Sequence, residues 1–213
     1  MATHNGGDSN FESEQARLVG LAMQLIERRG TEVTRAILAA DTQMARARID
    51  RFFPEESDLF DAIVERWFQP LVAIMEDVLV SNLPPNRKMY EFIARRFVHQ
   101  RDLYHANAAS FALYCELGRS RMEEIRSYVD LADHYLAELI AQAQAEDYFP
   151  GLTIDQTLSL INQMVVGYTQ PDVMMMIGER LSEQKLARII DTLFAGLSAE
   201  DGGAAGVSGL RIA

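Results

Sequence analysis

Asp41-Thr42-Gln43-Met44-Ala45-Arg46-Ala47-Arg48-Ile49-Asp50-Arg51-Phe52-Phe53-Pro54 decides how the rest of this chain is read. The stretch predicts a short, arginine-studded helix, entered through a polar turn and stopped by proline, whose ring cannot continue a helix. At about 100° per residue, Ala45, Ile49, Phe52 and Phe53 fall on one side. The opposite side centres on Ala47, with Asp50 and Arg51 beside it and Arg46 and Arg48 on its margins. Three arginines around so short a helix suit a polyanionic partner. A preceding helical segment, Thr34 to Ala40, and a tight turn complete the pattern of a helix-turn-helix.

Working outward, every segment predicts helix. Towards the N-terminus, Leu18, Leu21, Ala22, Leu25 and Ile26 repeat at helical spacing from about Phe11 to Arg29. Gly30 is placed to end that helix, and Arg28 and Arg29 complement its negative pole. Beyond Pro54, acids at Glu55, Glu56 and Asp58 open a long fourth helix to about Val80, with Pro70 expected to kink it. Ser81-Asn82-Leu83-Pro84-Pro85-Asn86 is a break. Further helices are expected over about 87–104, 107–117, 122–147, 153–168 and 182–197. The fold class is therefore all-α, with about nine helices. Residues 1–11 read as a disordered tail, 12–54 as a three-helix head, 55–198 as a larger helical body and 199–213 as a flexible tail.

The 213 residues carry one cysteine, Cys115, which excludes an internal disulfide framework and fits a reducing compartment. The opening MATHNGGDSN has no apolar core of a secretory signal, and no apolar run approaches a membrane span, so a cytoplasmic location and no membrane partner are expected. The net charge of −11 argues against a generally DNA-binding surface. Its distribution argues otherwise: residues 1–54 hold seven arginines against seven acids, and the deficit lies beyond Pro54. A locally neutral module can dock on DNA through clustered arginines, because the field acts over roughly 8–10 Å.

Arg17, Leu18, Ala22, Leu25, Arg29 and Gly30, followed by Thr34, Leu38, Ala39, Met44, Ile49, Arg51, Phe52, Phe53, Pro54, Asp58 and Leu59, resemble the head of the tetracycline-repressor (TetR) family. The resemblance covers about a fifth of the chain, and the body agrees in helix number and length. It implies a DNA-binding transcriptional regulator, a repressor released by a small, largely apolar effector. It also implies a homodimer on a palindromic double-stranded operator. Three positions depart from the family pattern: Gln43 stands for its usual glycine, Asp50 for a tyrosine and Glu56 for a lysine. The last two turn carboxylates toward DNA phosphates, at a cost of about 1–2 kcal/mol each. The alternative function is therefore a TetR-fold protein with weakened or lost operator binding that acts through protein partners.

The residues assigned to DNA contact are Thr34, Arg35, Gln43, Arg46, Ala47, Arg48 and Arg51, since arginine can fork onto guanine and glutamine onto adenine. Arg46 is also placed to pair with Asp50 one turn on. Trp67, Tyr90, Phe97, Tyr104, Phe111, Tyr114, Cys115, Tyr128, Tyr135 and Met164 are candidates for an effector pocket. The resemblance places the dimer interface on the last two helices, through Leu158, Ile161, Val165, Leu186, Ile189, Ile190, Leu193 and Phe194. No HExxH, CxxC, GxSxG, P-loop or dinucleotide fingerprint occurs, so no catalytic residue, metal or cofactor is assigned and no enzyme is expected.

Overall fold

The structure, a computed structural model, describes residues 6–203, and of residues 6–9 and 124 the backbone alone. The described residues form eleven α-helices and one 3-10 turn, with no strand among them. The protein is all-α. By compactness the chain divides into two units. The first comprises the chain to Pro70 together with Asn107–Ile125, and the second comprises Leu71–Ala106 and the chain from Arg126 onward. The division thus falls at Pro70, inside one helix.

The first unit contains α1 (Gly6–Arg29), α2 (Arg35–Thr42), α3 (Arg46–Phe52), the first part of α4 (Glu56–Val80) and α6 (Ala108–Ser120). Helix α1 starts at Gly6, ahead of the expected Phe11, so the expected tail enters the structure as a helical turn. Leu18, Ala22, Leu25 and Ile26 of α1 join Leu38, Ile49, Phe53, Leu59, Ile63 and Tyr114 in one buried cluster. Ile49 and Phe53 have no exposed surface. Each contributes about 1.5–3 kcal/mol by burial, more than the 0–1 kcal/mol typical of a surface ion pair. The apolar side of α3 therefore sets its seat, whatever its arginines do.

The second unit contains the remainder of α4, α5 (Pro85–Ala106), α7 (Met122–Gln144), α8 (Ile154–Met164), α9 (Val166–Thr169), α10 (Pro171–Ile177), the 3-10 turn Gly178–Arg180 and α11 (Glu183–Leu197). Helix α7 straddles the boundary, which falls after Ile125. The expected helix over 153–168 is two, because it breaks at Val165. Pro171 then opens α10 at a first-turn position that needs no N–H. Thr153 starts α8 with a reciprocal cap: its hydroxyl accepts from Gln156 N–H at 3.2 Å, and the Gln156 side chain accepts from Thr153 N–H at 3.0 Å. Helix α5 buries Met89, Phe92, Ile93 and Phe97 and packs on α9, α10 and α11. No described helix is long and apolar enough to cross a membrane.

Residues 199–203, expected in a flexible tail, fold onto the turn after α7. Gly202 N–H donates to the Ala199 carbonyl at 2.8 Å, and a Cβ at Gly151 would sit 2.5 Å from the Glu200 carbonyl oxygen. In the same turn Phe149 is fully buried at φ +56°, a left-handed conformation that a bulky residue rarely adopts. Its ring packs against Phe194 at 4.8 Å, and its N–H donates to the Ser198 hydroxyl at 3.4 Å. Residues 1–5 and 204–213 lie outside the described residues.

Candidate nucleic-acid interface

Thr34 caps α2, its hydroxyl accepting from Ile37 N–H at 3.3 Å. Gln43 ends α2 in the left-handed conformation, φ +54°, where glycine is freer. The next amide, Met44 N–H, donates back to the Ala39 carbonyl at 3.1 Å. This reversal sends the chain into α3 within three residues. Ile49 and Phe53 then face the core, and Arg46, Ala47, Arg48 and Arg51 face solvent.

The arginines are not bare. Arg46 donates through Nε to Asp50 Oδ1 at 2.8 Å and lies 3.4 Å from Glu56 Oε1. The hydrogen bond to Asp50 is the main reason its pKa is raised, a shift that Glu56 reinforces. Arg48 reaches Glu14 Oε1 of α1 at 3.2 Å with its side chain 60% exposed. Glu14 is held below the usual carboxylate range, chiefly by its hydrogen bonds from Arg17. Arg51 lies 6.0 Å from the Phe11 ring centroid. Asp50 and Glu56 thus take up positive charge that would otherwise face a polyanion.

Arg35 lies apart from the other three arginines. Its side chain is only 12% exposed and is turned inward. The guanidinium donates to the Phe53 carbonyl at 2.8 Å and to the Pro54 carbonyl, and lies 3.3 Å from both Asp50 and Glu56. Its backbone N–H donates to Glu56 Oε2 at 2.9 Å. Arg35 therefore staples the start of α2 to the α3–α4 turn, and a side chain so engaged has little left for a phosphate. The Arg48–Glu14 and Arg35–Glu56 contacts were not legible, because their partners lie 34 and 21 residues apart in sequence.

The candidate pocket residues are divided between the two units. Trp67, Phe111, Tyr114 and Cys115 belong to the first unit. There Trp67 stacks on Tyr114 at 4.3 Å and meets Phe111 at 5.9 Å, and the Tyr114 hydroxyl donates to the Met23 carbonyl at 3.3 Å. Burial pushes the Tyr114 phenol well above its ordinary pKa. Tyr90, Phe97, Tyr104, Tyr128, Tyr135 and Met164 belong to the second unit. Phe97 is buried edge-on to Tyr168 at 5.0 Å, and Tyr135 donates to Glu76 at 3.0 Å. Tyr90, Tyr104 and Tyr128 are half-buried, whereas Met164 is 51% exposed and lines no interior of the described chain.

Of the candidate interface residues, Ile161, Val165, Leu186, Ile190, Leu193 and Phe194 are buried within a single chain. Phe194 is held between Tyr148 and Phe149. Side chains already removed from water gain nothing from a second burial, so they support α8 and α11 from inside. Leu158 and Ile189 keep part of their surface, and Met164 and Val166 are exposed at the break after α8. No group of His, Cys, Asp and Glu that could hold a metal ion occurs among the described residues.

No curated protein matches the chain by sequence. Residues 85–190 match the family model described as a tetracyclin repressor-like, C-terminal domain. That span runs from the start of α5 to the middle of α11, where the sequence offered the least specific signal. With this domain following a helix-turn-helix head, the chain belongs to the tetracycline-repressor family of regulators.

Proposed function

We propose that the protein is a homodimeric, DNA-binding transcriptional repressor whose operator binding is released by a small, largely apolar effector. The observation that carries this reading is the division of α3, with Ile49 and Phe53 fully buried and Arg46, Ala47, Arg48 and Arg51 turned to solvent. An arginine-bearing second helix seated by its apolar side is what major-groove docking requires. Helix α4 is continuous in sequence from the head into the body, so effector binding can act on the head along it. Two heads in a two-fold dimer would read the two halves of a palindrome. Exposed Met164 and Val166, with half-buried Leu158 and Ile189, suit such an interface.

A second reading has its own observation. Glu14, Asp50 and Glu56 engage Arg48, Arg46 and Arg35, which suits a head with weakened operator affinity that acts through protein partners. One experiment separates the two. Purified protein is mixed with sheared genomic DNA at low and moderate salt, beside a folded Arg48→Ala/Arg51→Ala variant. Enrichment of a few palindromic sites that the variant loses supports the repressor. Absence of specific enrichment at both salts favours the protein-partner reading.

A further inference from the structure

Arg96 and Gln100 lie one turn apart on α5 and so share a side of that helix. The other arginines of α5 have carboxylate partners at the surface: Arg87 meets Glu91 at 2.6 Å, Arg95 meets Asp77 at 2.5 Å and Arg101 meets Glu183 at 3.3 Å. Arg96 differs. Its Nε is closed to solvent and bonded to nothing, and among the described residues its guanidinium makes no hydrogen bond or ion pair. One face of the group lies over the Phe92 ring, 5.0 Å from the centroid. The carboxylate that acts on it is Asp133 of α7, which already accepts the Asn162 amide at 2.9 Å.

Gln100 is only 9% exposed, and its Oε1 is likewise inaccessible and unbonded. A buried donor and a buried acceptor thus stand unspent on one helix face. Each costs stability unless something answers it. Burial lowers the Arg96 pKa to about 10, with Asp133 opposing the shift, so the group is still a cation at neutral pH. A guanidinium edge matches a carboxylate, two N–H groups to two oxygens. The amide oxygen takes an O–H or N–H. Beside Gln100, three residues earlier, Phe97 and its edge-on partner Tyr168 supply an apolar wall.

We infer that Arg96 and Gln100 form a carboxylate-binding site for a small organic acid that has an apolar body and carries a hydroxyl or N–H next to the acid group. Arg96 holds the carboxylate, Gln100 accepts from the neighbouring donor, and the apolar body lies toward Phe97 and Tyr168. This rests on the reading of the body as an effector-binding domain, and it narrows the effector from apolar to acidic. The sequence held a trace of it, since Arg96 sits among Phe92, Ile93 and Phe97 on the apolar side of α5.

The test uses the full chain and a panel of 2-hydroxy acids with phenyl, indole and medium-length alkyl bodies. Each is paired with its neutral amide and with the acid lacking the hydroxyl. Affinity is measured by calorimetry without DNA. The expected result is that at least one hydroxy acid binds tenfold or more tighter than its amide. Arg96→Met should abolish that preference, and Gln100→Met should abolish the preference for the hydroxyl alone. Both variants should unfold at or above the wild-type temperature when unliganded, since an apolar side chain replaces an unanswered polar one. No acid preference in any pair, or an Arg96→Met chain that does not fold, overturns the site. DNA release is measured separately. Neutral compounds that bind and release DNA leave the repressor reading standing and sink this one, whereas acids that bind through Arg96 without affecting DNA do the reverse.

Discussion

Arg46 and Asp50 stand one turn apart on α3 and share a hydrogen bond of 2.8 Å. The same carboxylate lies 3.3 Å from inward-turned Arg35, and Glu56 approaches both arginines, so two acids hold one exposed and one inward-turned arginine beside the solvent face of α3. The head's neutrality is therefore local pairing as well as an equal count of charges. An arginine so paired must exchange a carboxylate for a phosphate, and it gains less than a free one.

Removing the two charges should release that reserve. Asp50→Asn with Glu56→Gln keeps the acceptor for Arg35 N–H and is expected to tighten DNA binding by about 10- to 100-fold at low salt. The slope of log affinity against log salt should steepen by about one per arginine released. Fluorescence anisotropy over a salt series reads both, and unchanged affinity with an unchanged slope would remove the masking argument.

Arg35 is expected to matter for stability. Arg35→Ala leaves the Phe53 and Pro54 carbonyls and two carboxylates without their shared donor, at a cost of about 1–3 kcal/mol. Urea denaturation monitors this. Lost DNA affinity with an unchanged denaturation midpoint would instead return Arg35 to the interface.

At Gln43 the left-handed backbone favours glycine. Gln43→Gly is expected to stabilise the head by about 0.5–1 kcal/mol, the relief of the φ penalty less the added entropy of the unfolded chain. A lower melting temperature for the variant would contradict this.

Tyr114→Phe removes the hydroxyl that donates to the Met23 carbonyl and should cost about 0.5–1.5 kcal/mol near neutral pH. The phenol's pKa is raised on folding, chiefly by burial. Its contribution is fully present below the unfolded value of about 10 and is lost as pH rises from there towards the folded value. The gap between wild type and variant should therefore narrow between about pH 10 and pH 12. A gap constant across that range would rule out the linkage.

Gly151→Ala places a methyl 2.5 Å from the Glu200 carbonyl oxygen and 3.0 Å from Gly202 N. Both obstacles are backbone, so the turn at 199–203 must shift, at a cost of about 1–3 kcal/mol. Hydrogen exchange should show lost protection around 198–203. Unaltered protection would mean that this segment is held by something else.

The sequence by itself determined the helices and the seat of α3. The period of Leu18, Ala22, Leu25 and Ile26, and of Ile49 with Phe53, is a local property that needs no knowledge of the partner surface, and the all-α head followed from it. The Arg46–Asp50 pair was legible for the same reason, being one turn of one helix. What only the tertiary structure decided depends on residues distant along the chain. The inward turn of Arg35 needs Glu56 and the carbonyls of the α3–α4 turn. Arg48 finds its acid in α1, and Tyr114 spends its hydroxyl on Met23. The resemblance places an interface at Phe194 and its neighbours, while their apolar stripe shows that a face is buried without saying against what. The fold answers that question with the chain's own core, and it leaves Arg96 and Gln100 of α5 with donor and acceptor unspent.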